Sequence, residues 1–140
     1  MSKDSLVIDQ HCFLCGKENP FGLKLDIQRL ENPVRATASF TLEKNYQGYG
    51  GVIHGGILAS ILDELMIYAL YFSEIPTMTA KMEVKFKKKV SVGEPLTGFA
   101  RIKKDRGKMV EAEAEIVNAA GDQVTSATGL FLKVENVKRL

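Results

Sequence analysis

A chain of 140 residues, 45% hydrophobic and 26% charged, has the size of one domain and can bury roughly two thirds of its unfolded surface without staples. A formal net charge of +2 is too small for bulk attraction to nucleic acid, so no such partner is expected and any basic site must be local. The start, Met1 to Leu6, lacks an apolar core of signal-peptide length; with two cysteines and no export signal, the expected location is the reducing cytoplasm.

In chain order, residues 1–20 read as an irregular amino-terminal segment of a single domain spanning 1–140. The segment holds a CxxC pair, Cys12 and Cys15. Zinc normally takes four ligands, and the chain has only His11 and His54 to add. His11 with the two cysteines would make a three-ligand knuckle. The plainer reading is a tight turn that packs the segment on a sheet, so no metal is expected. A redox CxxC usually opens a helix in a βαβ setting, which is missing here.

Period-two alternation begins at residue 23. Leu23, Leu25 and Ile27 alternate with Lys24, Asp26 and Gln28, and Val34, Ala36, Ala38 and Phe40 alternate with polar neighbours. Each is the pattern of a half-buried strand, with Glu31-Asn32-Pro33 as the turn between them. Residues 46–56 then carry five glycines, which requires unusual dihedrals or close approach. A helix over 56–72 must stop before Pro76. Its apolar residues cover most of its circumference, so it is predicted to be buried nearly all round. Asp63 and Glu64 near its middle make it a poor membrane span, and no membrane partner is expected.

Four more strands follow, over 78–86, 96–102, 110–116 and 124–134, with turn signals at Arg106-Gly107 and Gly121-Asp122. Two strands, a helix and four strands in succession predict an α+β fold. Its antiparallel sheet has one polar face and one covered by the helix.

A carboxylate in the middle of a buried apolar helix is costly unless paired or used, which singles out Asp63. It would either meet a Lys or Arg in the core or do chemistry. Ser60 and Gly56 lie on its stripe of the helix. Glu64 points about 100° away and is expected to reach solvent or a partner at the helix edge. Gly55 and Gly56 present backbone N–H groups that lack intrahelical partners, where the helix dipole adds positive charge. A carbonyl oxygen could sit on them as in an oxyanion hole. Gly56 and Asp63 are seven residues apart, about 10.5 Å along one axis, so one carbonyl cannot meet both on one helix. Two antiparallel helices could bring them together, which predicts a two-fold dimer with two shared sites. His54 would order the glycine loop or touch the substrate.

The run Gly51-Val52-Ile53-His54-Gly55-Gly56, with Asp63 nine residues after His54, resembles the hotdog-fold acyl-CoA thioesterases of the phenylacetate-degradation type. The resemblance covers nearly the whole chain. Cys12-Phe13-Leu14-Cys15-Gly16, Asn19-Pro20-Phe21-Gly22-Leu23 and Val92-Gly93-Glu94-Pro95-Leu96 resemble one branch of that group. It implies a hotdog fold, a six-stranded antiparallel sheet wrapped around one long central helix. It further implies an acyl-CoA substrate, no cofactor, and a homodimer or homotetramer with the site at the dimer interface. The acid at Asp63 would act as base or nucleophile, and the N–H at Gly56 would polarise the thioester carbonyl. Relatives often place Asn or Gln in the glycine loop to hold the attacking water. This chain has Gly48 there with Gln47 beside it, and Gln47 is the candidate.

The phosphates of coenzyme A need cations, and the resemblance puts Lys87, Lys88 and Lys89 near them. Tyr49 and Ser60 are candidate substrate contacts, and Tyr46, Tyr68, Phe72 and Met82 are candidates for the acyl pocket wall. Two other readings compete with hydrolysis. A hotdog dehydratase of hydroxyacyl thioesters would need His54 as base, but the Phe-Pro typical after a dehydratase histidine is missing. A non-catalytic acyl-CoA binding module would gain nothing from an unpaired Asp63.

Overall fold

The computed structural model describes residues 5–139. Met1 to Asp4, part of the stretch read as lacking an export signal, lie outside the described residues. The elements are β1 (Ser5–Ile8), β2 (Gln28–Leu30), β3 (Arg35–Thr41), α1 (Gly55–Phe72), β4 (Thr77–Phe86), β5 (Pro95–Asp105), β6 (Met109–Asn118), β7 (Gln123–Lys133) and β8 (Asn136–Arg139). Six strands form one sheet in the order β2-β3-β5-β6-β7-β4, antiparallel at every pairing. The helix packs against β3, β4, β5, β6 and β7, which is the hotdog arrangement.

The alternation explains the packing. Ala36, Ala38, Ala100, Val110, Ala112, Ala114 and Ile116 are buried toward α1, while their neighbours point outward. Small residues let the helix approach closely. A Cβ on Gly98 would lie 2.5 Å from a Leu65 methyl, and one on Gly129 would lie 3.2 Å from the Met66 methyl, besides meeting the Phe131 ring of its own strand at 2.5 Å. Leu58, Ile61, Leu62, Leu65, Met66 and Leu70 are all buried in return. By length and apolarity alone α1 could cross a bilayer; here it is the core of the sheet.

Three expectations shift. The alternating residues 23–27 form no strand. Leu23 and Leu25 give their N–H groups to Phe13 and Leu14 carbonyls in the amino-terminal segment, and only Gln28–Leu30 reaches β3. Leu25 is buried as a peg from a loop. Secondly, β1 pairs in parallel with β8 as a separate two-stranded sheet joining the chain's two ends. Thirdly, the alternation of β4 is broken by a register shift between Thr79 and Lys81: Thr79, Met82 and Val84 face the core, while Met78, Ala80 and Phe86 are exposed, with Met78 at 38% and Phe86 at 57%. They lie on a strand at one edge of the sheet.

Candidate functional site

The site forms where the glycine loop feeds α1. The loop is tied by its own backbone: Gly48 N–H to Val52 C=O at 2.8 Å, His54 N–H to Tyr46 C=O at 2.9 Å, and Ile53 N–H to Val90 C=O at 2.8 Å. Gly51 sits at φ 79°, where only glycine is unstrained. Gln47 Oε1 accepts the Gly51 N–H at 3.0 Å and staples the loop.

His54 is the N-cap of α1, with φ −62° and ψ 131°. Its Nδ1 accepts the Gly56 N–H at 2.9 Å, which requires the Nε2–H tautomer. Its backbone carbonyl takes the Ile57 and Leu58 amides at 3.0 and 3.3 Å. Of the four N–H groups that a helix start leaves over, Gly55 alone finds no acceptor among the described residues. The free donor is therefore the first glycine of the pair, and the Gly56 amide is engaged by the histidine. A Cβ on Gly55 would lie 3.3 Å from the Phe86 ring, so the end of β4 borders this donor.

Asp63 meets no cation among the described residues. Instead the Thr79 hydroxyl, from β4, donates to its Oδ1 at 2.6 Å. Burial pushes the Asp63 carboxyl above the usual carboxylate range, and the Thr79 hydrogen bond offsets part of that. Thr79 was not anticipated. Its only signal was its place on the polar side of a strand, which does not say which side chain lies beneath. Ser60 is on the same helix face, but its hydroxyl donates to the Gly56 carbonyl at 2.8 Å.

Glu64 does not reach solvent freely. It is half-buried, and the Cys12 thiol donates to its Oε2 at 3.7 Å. Burial, then the charge of Asp63, raises its carboxyl to about 7. Burial raises the Cys15 thiol to about 12. The CxxC turn thus packs on α1, where it was expected to pack on the sheet.

The lysines separate. Lys87 donates to Gln123, and Lys88 pairs with Asp122 at 3.0 Å. The Lys89 ammonium has no partner among the described residues. Lys89 precedes Val90, whose carbonyl holds the glycine loop. Tyr49 is 89% exposed. Tyr46 is tied by its hydroxyl to Gly22 C=O at 3.1 Å. Tyr68 and Phe72 stack edge-on with ring centroids 5.5 Å apart, near the helix's far end.

A long α-helix inside an antiparallel sheet, with a glycine-rich helix start and a mid-helix acid, makes this a hotdog domain. Residues 50–125 match the family model of the Thioesterase superfamily, and the chain belongs to that superfamily. It is 30% identical over 95 residues to an acyl-coenzyme A thioesterase of Rattus norvegicus, a match covering 67% of this chain and 41% of the rat protein. The chain thus spans under half of that relative. A solved thioesterase superfamily protein superposes with a TM-score of 0.84 at 27% identity, covering 88% of this chain and 60% of that one. A thioesterase-type protein of Streptococcus pneumoniae, solved with coenzyme A, superposes with a TM-score of 0.73 at 15% identity, covering 95% and 94%. That protein has also been solved as two alanine variants, at an aspartate and at a threonine sixteen residues further on.

Proposed function

We propose that this protein hydrolyses acyl-coenzyme A thioesters as a homodimer, each site combining the helix start of one chain with Asp63 of the other. The observation that carries this reading is the Asp63–Thr79 hydrogen bond of 2.6 Å. It fixes a half-buried carboxylate by one oxygen, while no cation among the described residues pairs with it and the second oxygen is left free for chemistry.

Asp63 Oδ2 takes a proton from water as the water oxygen attacks the thioester carbonyl carbon. The oxygen of the tetrahedral intermediate rests on the Gly55 N–H at the positive end of α1. Collapse breaks the carbon–sulfur bond, and the coenzyme A sulfur leaves with the proton held by Asp63. Direct attack by Oδ2, giving a mixed anhydride that water then opens, uses the same free oxygen. Lys89 suits the nucleotide phosphates better than Lys87 or Lys88, whose ammonium groups are engaged.

The dimer rests on two supports. Gly55 and Asp63 are eight residues apart on one helix, about 12 Å along its axis, too far for one carbonyl. The strand that carries Thr79, β4, is the sheet's edge, and its apolar side chains Met78 and Phe86 stand exposed. An unpaired edge with exposed apolar side chains is a surface that a second copy would cover. The spacing of sixteen residues between Asp63 and Thr79 equals that between the aspartate and threonine replaced in the Streptococcus pneumoniae protein.

A panel of acyl-coenzyme A thioesters with a thiol reagent tests the reading. Release of free thiol at enzyme-dependent rates supports it. Acyl-coenzyme A binding without thiol release on any member would make the protein a binding module. Loss of an enoyl chromophore without thiol release would make it a hydratase, a role the capping bond on His54 Nδ1 disfavours.

A further inference from the structure

Cys12, Cys15 and Glu64 take no part in the proposed hydrolysis, yet the fold gathers them. The two sulfurs and a Glu64 carboxylate oxygen all lie within 4.8 Å of one another. The cysteines come from a loop closed on itself: the Gly16 N–H bonds the Cys12 carbonyl at 3.0 Å, and Glu18 N–H bonds Gln10 C=O at 2.9 Å. A Cβ on Gly16 would lie 2.2 Å from the Gln10 carbonyl oxygen, so only glycine can follow Cys15 in this turn. Glu64 comes from the middle of α1.

We propose that Cys12, Cys15 and Glu64 form a zinc-binding site that clamps the amino-terminal loop onto the core helix. The Cys12 sulfur and Glu64 Oε2 are 3.7 Å apart. Tetrahedral zinc with Zn–S of about 2.3 Å and Zn–O of about 2.1 Å sets a sulfur–oxygen edge of about 3.6 Å. Two sulfurs select a thiophilic dication over calcium or magnesium. Both sulfurs also have donors aimed at them: the Cys15 N–H approaches Cys12 Sγ at 3.5 Å, and the Tyr68 hydroxyl approaches Cys15 Sγ at 3.3 Å. A neutral thiol is a weak acceptor, whereas a metal-bound thiolate uses such donors. The fourth position faces a cleft lined by Asp9 and His11 as well as the three ligands. His11 or a water completes the tetrahedron, and binding displaces the two thiol protons into solvent.

This site is independent of the hydrolytic reading and is tested without substrate. Fully reduced, metal-stripped protein is titrated with cobalt(II) and then with zinc, alongside elemental analysis of the protein as purified. One ion per chain is expected, with sulfur-to-cobalt charge-transfer absorption and intense tetrahedral visible bands that zinc abolishes. Cys12→Ser or Cys15→Ser should lower zinc affinity more than a hundredfold and weaken the charge-transfer band. Glu64→Gln should lower affinity at least tenfold and keep that band. Tyr68→Phe, which removes a donor to a ligand, should cost about 10–100-fold. The wild-type titration stands alone if a variant fails to fold. No stoichiometric binding at micromolar zinc in wild-type protein with both thiols free would overturn the proposal. So would unchanged affinity in a folded Cys12→Ser variant.

Discussion

The Thr79 hydroxyl donates to Asp63 Oδ1 at 2.6 Å, joining the edge strand β4 to the middle of the buried helix. The bond sets the direction of the carboxylate's remaining oxygen. It also separates the two neighbouring helix acids by role, since Glu64 turns toward Cys12 at 3.7 Å.

Replacing Asp63 by Asn should leave the fold intact and lower kcat by about a hundredfold or more, because general-base assistance is worth about 10²–10⁴. Glu64→Gln should cost far less in kcat. Steady-state kinetics on the best thioester of the panel decides this. A loss below tenfold at Asp63, or equal losses at both positions, would reassign the acid.

Thr79→Val keeps the shape of the side chain and removes the donor. Hydrogen bonds to charged groups are worth about 1.5–3 kcal/mol, so kcat should fall at least about tenfold while KM changes little. Thr79→Ser should restore most of the loss. A change confined to KM would place Thr79 against substrate instead.

The shared site is tested with mixed dimers. His54 already holds the extended backbone that proline demands of its predecessor, and Gly55 is the first residue of the helix. Gly55→Pro should therefore remove the free N–H with little damage to α1. Its homodimer, like that of Asp63→Asn, should be nearly inactive. Tag-purified heterodimers of the two should recover about half of wild-type activity, because one of the two sites is then intact. Near-zero activity in folded heterodimers would mean that both residues serve one chain's own site.

Gly98→Ala tests the closeness of helix and sheet. The new methyl would meet a Leu65 methyl at 2.5 Å, and Leu65 is fully buried. Overpacking of this kind costs about 1–3 kcal/mol, read as a lower midpoint of denaturant unfolding. An unchanged midpoint would show that Leu65 can move aside.

Much of this protein could be read along the chain, because the signals concerned are local. Alternation at Val110, Ala112, Ala114 and Ile116 marked a strand with one buried face, and all four are buried. Gly107 and Gly121 marked turns, and both adopt positive φ, at 89° and 86°. The same periodicity misled at residues 23–27. Alternation reports which side chains are buried, but it does not say where the backbone N–H groups go, and those of Leu23 and Leu25 go to the amino-terminal loop. The pairing of β1 with β8 is parallel and joins opposite ends of the chain, so no turn announces it.

By itself, then, the sequence determined the α+β class, the long central helix and the acid in its middle, since each follows from periodicity and from the cost of burying charge. Only the tertiary structure decided how those residues are used. Through-space partners chose Thr79 for Asp63, Cys12 for Glu64 and the Gly56 amide for His54, leaving Gly55 as the free donor. Such choices depend on which side chains the sheet and loop bring within about 3 Å for N–H and O–H donors, and somewhat farther for sulfur, and a hydrogen bond that short-ranged leaves no trace in a one-dimensional pattern.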